Sequence, residues 1–343
     1  MQLKNKYKIA IVGATGEVGK QLIDILTERN IPVEELTLIS SYKNVNTEIK
    51  FNNQLLKTQT IENINWEEID VAFFSAGAEV SLRWAPKAAE KNCIVIDNTT
   101  AFRNNPEIPL IIPEINSCHI KQYKNHNIIS NPNCSTIQML MAVFPIYANF
   151  GITSIIVSTY QSVSGTGREA INELQAQNQQ LLNNQPLTSK VYPEQIANNV
   201  IPHIDEILDT GFTKEELKMH KETQKILQDT SIAVDATAVR VPVSYGHSTA
   251  IHIKTKDEIT TSQAIQTLNN CGLGLIIEED NKKYYTVAKN IANKKTNKTY
   301  ISRIRGSMID SKSLNIWVCA DNTRKGAALN SVQILEKLIK QEI

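Results

Sequence analysis

Short apolar runs and helical stripes alternate along the first third of the chain. Lys8–Val12 (KIAIV) is apolar, β-branched at Ile9, Ile11 and Val12, and stops at Gly13, which predicts a buried strand. Glu17–Arg29 then spaces Val18, Leu22, Ile25 and Leu26 along one helical face. The strand signal returns at Leu36–Ser40, Asp70–Ser75 and Cys93–Asp97, and the helical one at Glu79–Lys91. Strands alternating with helices predict an α/β fold with an N-terminal doubly wound, Rossmann-type parallel sheet. Right-handed crossovers would place its strand ends and helix starts along one edge.

After about residue 150 the pattern changes. Ile152–Tyr160, Ala233–Val243 and Thr249–Thr255 are longer runs that alternate more, as in a sheet covered by helices on one face. They predict a second, α+β domain whose sheet is mostly mixed or antiparallel. Between them lie a Gln/Asn-rich helical stretch, Asn172–Asn184, and a proline-punctuated loop near Pro186–Pro202. Gly326–Ile343 spaces Ala328, Val332, Leu335 and Leu338 as a final helix.

Length and composition fit this division. At roughly 150 residues per domain, 343 residues suggest two. A net charge of +1 offers no basic face for a nucleic acid. The five cysteines form no CxxC pair, so a disulfide framework or structural zinc site is not expected; Cys93 and Cys319 sit in apolar runs as buried thiols do. No apolar stretch is long enough for a signal peptide or a membrane helix. The expectation is a reduced, cytoplasmic protein without a metal, a membrane or a nucleic-acid partner.

Two segments carry candidate chemistry. Gly13-Ala-Thr15-Gly16-Glu17-Val18-Gly19 follows a strand and opens a helix. Glycines there let backbone approach a pyrophosphate, and the N–H groups at the helix start favour an anion. NAD enzymes often end the second strand with a carboxylate for the ribose; here it ends Ser40-Ser41-Tyr42-Lys43. Ser40 and Lys43 can meet a 2′-phosphate, which favours NADP, although Lys43 also reads as a solvated loop lysine. In the second segment, Ile129-Ser-Asn-Pro-Asn133-Cys134-Ser-Thr136, a strand meets an Asn-Pro turn and a helix begins. Cys134 then falls in the first helical turn, where N–H groups and the helix dipole favour the thiolate, a nucleophile toward a carbonyl. From the segment alone, a cysteine that merely begins a helix is the other reading.

The order GATGEVG, NTTAFR, SNPNCST, YQSVSGTG, KEEL-K, RVPV-YGHS and DN-RKGAALN, spread over nearly the whole chain, resembles aspartate-semialdehyde dehydrogenase. The resemblance implies reduction of aspartyl phosphate to aspartate semialdehyde with NADPH, a step toward lysine, methionine and threonine. It implies Cys134 as nucleophile, His247 as acid–base residue and Gln161 as the glutamine orienting the substrate. Arg240 would grip the α-carboxylate, Glu215 would hold the amino group, and Lys218, Arg103 and Asn133 would form the phosphate region. Gly13, Thr15, Gly16, Glu17, Val18, Ser40, Tyr42, Lys43, Ser75, Gly77, Ser164, Gly165 and Asn322 would line the cofactor site. Residues 1–133 with 324–343 would form the NADP-binding domain and 134–323 the catalytic and dimerisation domain, in a homodimer or homotetramer.

Read without the resemblance, several of these residues have plainer roles: a histidine beside a strand, a surface arginine, a Glu215–Lys218 ion pair on one helix face. The family also carries an arginine and a serine where this chain has Tyr42 and Lys43; Tyr42 can stack on adenine but cannot pair with a phosphate. N-acetylglutamyl-phosphate reductase shares the fold and thioester chemistry, but its substrate has no free α-amino group and so no need of Glu215. A non-catalytic paralogue would lack the cysteine or the histidine, and both are present.

Overall fold

The computed structural model describes residues 4–292 and 294–340. They form two compact units, Met1–Asn133 with Ala327–Ile343, and Cys134–Gly326.

In the first unit, β1 (Tyr7–Val12), β2 (Val33–Ile39), β5 (Val71–Phe74), β6 (Ile94–Asp97) and β7 (Ile128–Ser130) build a five-stranded parallel sheet in the order β2-β1-β5-β6-β7. Both faces are covered. Ile9 and Ile11 of β1 pack with helices Glu17–Glu28 and Leu329–Lys340, while Ala10 and Val12 pack on the other side with Ala85, Ala88 and Ala89 of helix Ala78–Glu90. The period of two in a strand sends alternate residues to opposite faces, so a strand buried on both faces must be apolar throughout. In this unit the sequence pattern misses the hairpin of β3 (Glu48–Phe51) and β4 (Gln54–Lys57), because charged and exposed residues interrupt both strands.

In the second unit, β8 (Ile152–Gln161), β9 (Ala233–Arg240), β10 (His247–Thr255), β11 (Leu275–Ile277), β12 (Thr299–Gly306) and β13 (Ser313–Ala320) form a mixed sheet in the order β11-β12-β13-β10-β8-β9. Strands β8 and β9 run parallel, and β10 is antiparallel to both β8 and β13. The predicted strand Ala233–Val243 stops at Arg240, just before Pro242, which has no N–H for a ladder. Helix Cys134–Phe150 packs against β10 and β13 and is buried almost all round. On β8, Ile156 (56% exposed) and Tyr160 (37%) point away from the core, and Tyr160 pairs with Trp317 of β13 at 5.5 Å.

The chain leaves the second unit three residues later than the sequence boundary suggests. Residues 324–328 form a π-helical turn, and regular helix begins only at Leu329. Gly326 N–H donates to the Asp321 carbonyl, and its backbone rests against Cys134, which keeps 324–326 with the second unit. The last three residues of the predicted final helix lie outside the described residues. Cys93 and Cys319 are buried strand thiols, and burial pushes the Cys319 thiol up to about 12.

Candidate active site

Cys134 is the first residue of its helix, where N–H groups lack intrahelical partners and the dipole favours an anion. Its Sγ lies 3.3 Å from Nε2 of His247, the first residue of β10. The imidazole is 1% exposed and held from behind: Ser162 N–H donates to Nδ1 at 3.0 Å, and Ser162 Oγ stands 3.1 Å from the same nitrogen. Burial, and then the charge of Arg240, push the pKa of His247 well below the ordinary 6.5; the Gly246 carbonyl opposes them and is outweighed.

Arg240 ends β9 in register with Gln161 at the end of β8. The guanidinium is buried, lies over the Tyr192 ring at 5.8 Å, and donates from Nη1 to the Ser162 carbonyl at 2.7 Å. Its Nε has no hydrogen-bond partner, a deficit that a carboxylate would correct. Gly165 borders both groups: a Cβ there would stand 3.2 Å from Arg240 Nη1 and 3.5 Å from His247 Nε2.

Gln161 Nε2 donates to Thr159 Oγ1 at 3.2 Å and to Glu215 Oε1 at 3.1 Å. Lys218 Nζ donates to Glu215 Oε2 at 3.1 Å and to Asp205 Oδ2 at 2.6 Å. Burial draws the Lys218 ammonium down, but the two carboxylates outweigh it and raise its pKa. The neighbouring Glu216 is committed elsewhere. It closes a capping box with Thr213 and accepts the Ala238 N–H at 2.9 Å, so Glu215 is the carboxylate on the Gln161–Lys218 side.

The structure draws Cys134, His247, Gln161, Arg240, Glu215, Lys218, Ser164 and Gly165 into one chain of contacts within the second unit. Asn322 joins the same network. Its Oδ1 accepts from Gly246 N–H at 2.9 Å and from the Ser162 and Ser164 hydroxyls, tying that turn to the start of β10. Ser162, Tyr192, Asp205 and Gly326 were not legible as site residues, since each acts through a distant partner. Tyr192 sits on a loop held by buried Glu173, whose carboxylate accepts the N–H groups of Lys190, Val191 and Tyr192.

The first unit carries the glycine loop. Gly13 has φ +93°, and a Cβ would stand 3.0 Å from the Ser75 carbonyl; at Gly19 it would stand 2.2 Å from the Gly13 oxygen. Thr15 lies in the turn, Gly16 precedes the helix with no side-chain cap, and Glu17 and Val18 begin it. This cradle fits a pyrophosphate, which would take the N–H groups at the helix start. Gly77, φ +96°, opens the helix after β5. Ser75 Oγ donates to the Val12 carbonyl, and Ser40 Oγ to the Asn44 carbonyl, so both hydroxyls serve the fold first. Tyr42 and Lys43 are exposed in the turn after β2. Arg103 is buried, donating to the Asn131 and Asn98 carbonyls, and Asn133 is buried as well. Among the described residues no group of three His, Cys, Asp or Glu side chains could hold a metal ion, and no helix is long and apolar enough to cross a membrane.

A dinucleotide cradle on a parallel sheet and a cysteine–histidine pair on a mixed sheet define a class of proteins. Residues 8–123 match the family model "Semialdehyde dehydrogenase, NAD binding domain", and residues 143–325 match "Semialdehyde dehydrogenase, dimerisation domain". The aspartate-semialdehyde dehydrogenase of Shewanella violacea is 47% identical over 98% of this chain and 99% of its own. That of Aquifex aeolicus is 43% identical, with 98% of each covered. The crystal structure of aspartate semialdehyde dehydrogenase II from Vibrio cholerae complexed with ASA superposes with a TM-score of 0.95 at 43% identity, covering 99% of this chain and all of that one. The chain belongs to the aspartate-semialdehyde dehydrogenase family.

Proposed function

We propose that this protein catalyses the NADPH-dependent reductive dephosphorylation of L-aspartyl 4-phosphate to L-aspartate 4-semialdehyde, and the reverse, through a thioester on Cys134. The observation that carries the reading is the 3.3 Å approach of Cys134 Sγ to His247 Nε2 at a helix start. A thiolate there attacks the acyl carbon, and His247 serves as the acid–base residue beside it. Bound nicotinamide supplies the hydride donor or acceptor.

The other groups match a substrate with one ammonium and one carboxylate. Arg240, with its unpartnered Nε, takes the α-carboxylate, and Glu215 takes the ammonium. Lys218 now balances two carboxylates; a substrate ammonium on Glu215 frees it to face phosphate, a role it shares with Arg103 and Asn133. Gln161, bonded to Glu215, orients the substrate. Gly13–Val18, Ser75 and Gly77 hold the dinucleotide; Ser164, Gly165 and Asn322 face its nicotinamide; Ser40, Tyr42 and Lys43 face its 2′-phosphate end. The exposed face of β8 with Ile156 and Tyr160 suits a homodimer interface, on its own or within a homotetramer. The setting is the cytoplasm, and the product feeds lysine (through diaminopimelate), methionine and threonine synthesis.

The test is reduction of NADP by purified protein with aspartate semialdehyde and phosphate, run beside NAD and beside N-acetylglutamate semialdehyde. Turnover only with the acetylated substrate would overturn the assignment, and a preference for NAD would overturn the cofactor.

A further inference from the structure

One carboxylate beside the substrate groups is left over once their roles are assigned. Lys218 lies one turn into helix Lys214–Leu227 and donates to two carboxylates, Glu215 Oε2 at 3.1 Å and Asp205 Oδ2 at 2.6 Å. A substrate ammonium matches the charge of Glu215. Nothing in the substrate matches Asp205, so its carboxylate is still on Lys218 when phosphate approaches the same ammonium. Asp205 is also firmly set. Its backbone is left-handed, with φ +69°, a conformation that Asp and Asn adopt more readily than most side chains. Its Oδ1 accepts the Glu206 N–H at 2.9 Å, and Oδ2 is the oxygen on Lys218. The loop that follows folds back on the helix start: Leu208 N–H donates to the Phe212 carbonyl at 2.9 Å, and Lys214 N–H to the Glu206 carbonyl at 2.8 Å. The Lys214 ammonium pairs with Glu206, which leaves Lys218 as the ammonium bonded to Asp205. Burial pushes the Asp205 carboxyl up, but Lys218 outweighs it and holds the pKa below the ordinary carboxylate range, so Asp205 is ionised at neutral pH.

We propose that Asp205 competes with phosphate for Lys218, and is a positioning residue that weakens phosphate binding and speeds phosphate release. The proposal rests on the reading of Lys218 as a phosphate ligand given above. Before substrate binds, Glu215, Asp205 and Lys218 together carry one negative charge. The substrate ammonium brings the group to neutrality. A phosphate dianion then meets a Lys218 ammonium that already holds the Asp205 carboxylate, and it must displace or share that bond against a like charge. As phosphate departs, the Lys218–Asp205 bond re-forms. This matters most in the reductive direction. There the Cys134 thiolate forms the S–C bond and phosphate leaves as the C–O bond breaks. Phosphate that lingers can attack the thioester again, forming C–O, breaking C–S and undoing the step. A carboxylate that draws Lys218 back shortens that stay, and the thioester lasts until hydride reaches it. Water reaches the Asp205 side chain, which is 38% exposed, so screening limits the effect to a few-fold.

The experiment compares full-length wild type, Asp205→Asn and Lys218→Met, with inorganic phosphate as the varied ligand. Asparagine suits the left-handed backbone and keeps an oxygen for the Glu206 N–H, so the loop is retained. In the oxidative direction Asp205→Asn should lower the KM for phosphate about three- to fivefold, the range that a partly exposed ion pair sets. In the reductive direction phosphate should become a stronger product inhibitor by the same factor. The KM for aspartate semialdehyde should stay within about twofold, as for a group that does not touch it. Titration of the enzyme–NADP complex with phosphate, followed by phosphorus NMR line broadening, should show the same tightening without turnover. A phosphate KM that is unchanged or raised would overturn the proposal, since a merely structural role raises both KM values and lowers neither. Lys218→Met separates this proposal from the reading beneath it. It should raise the KM for phosphate at least about tenfold, as loss of a charged hydrogen bond does. If it does not, Lys218 is not a phosphate ligand and both readings fall. If it does while Asp205→Asn leaves phosphate binding as in wild type, only the competition falls.

Discussion

The sulfur of Cys134 and Nε2 of His247 stand 3.3 Å apart although 113 residues separate them in sequence. One group comes from the start of a helix and the other from the start of a strand that the helix packs on. If that pair is the reacting centre, Cys134→Ala should reduce turnover to background while NADP binding, followed by NADPH fluorescence, stays within about twofold, since the cradle lies in other residues. A variant that keeps more than a small fraction of wild-type activity would remove the nucleophile from the mechanism.

Acid should destabilise the protein partly through His247. The folded state holds the ring neutral, with a pKa well below 6.5, whereas the unfolded chain protonates it near 6.5. Between those two values the unfolded state binds more protons, so stability rises with pH through that window and is lost as pH falls below about 6.5. Thermal unfolding of wild type and His247→Gln from about pH 8 to 5 checks this. The variant should lose less of its melting temperature on acidification; parallel curves would mean that the ring charges freely in the folded protein.

How much of this was legible in sequence depended on the range of the forces involved. Strands β1, β5, β6 and β7 are buried on both faces, so their apolar runs show at once, whereas edge strand β2 begins with exposed Glu34 and Glu35 and only its second half reads as a strand; the glycine loop is local to β1 and its helix. The hairpin Glu48–Lys57 is exposed along most of its length, and no hydrophobic period marks it. Family motifs pointed to Cys134, His247, Arg240 and Glu215, and the structure adds their mutual distances. Tyr192, Asp205 and Ser162 stayed silent because a stacking surface, a second carboxylate or a backbone N–H has no signature until a distant segment meets it. The amide of Asn322 is committed to Gly246 and two serines, an arrangement that its Asp-Asn-Thr-Arg context does not announce.

Removing Glu173 should act at a distance on substrate binding. Its buried carboxylate takes three successive N–H groups, at 2.6, 2.7 and 3.4 Å, and so holds the loop whose Tyr192 supports Arg240. Leaving such groups unpaired costs about 1–3 kcal/mol. Glu173→Ala should therefore raise KM for aspartate semialdehyde by roughly tenfold or more, that energy being lost from the site that grips the substrate, with little change in NADP affinity. An unchanged KM would show that the loop does not support Arg240.

The cradle makes its own prediction. At Gly13 any other residue is strained by φ +93° and also meets the Ser75 carbonyl at 3.0 Å. Gly13→Ala should weaken NADPH binding at least about tenfold, because the loop backbone must move away from the pyrophosphate it approaches. Fluorescence titration measures this directly, and wild-type affinity would mean that the anion binds elsewhere.

Gly326 tests whether the nucleophile's position is set by packing. Its missing side chain is what lets the π-helical turn lie against Cys134: a Cβ would fall 2.9 Å from Cys134 Cβ, 3.3 Å from its Cα and 3.4 Å from Gln138 Nε2. The Gln138 amide is the end of a flexible side chain and at 3.4 Å is in ordinary contact, but Cys134 Cβ and Cα are held by the helix itself, so either the turn or the first residue of the catalytic helix must shift. Overpacking of this kind costs about 1–3 kcal/mol in stability. A displacement of about 1 Å at the reacting atom can cost on the order of a hundredfold in rate. Gly326→Ala should thus lower kcat by one to two orders of magnitude (the range those effects set), while the protein stays folded and binds NADPH. Gly306→Ala is the control, because nothing lies within 4 Å of its added methyl group; it should leave kcat unchanged. Equal kcat for the two variants would mean that the turn yields without moving the sulfur.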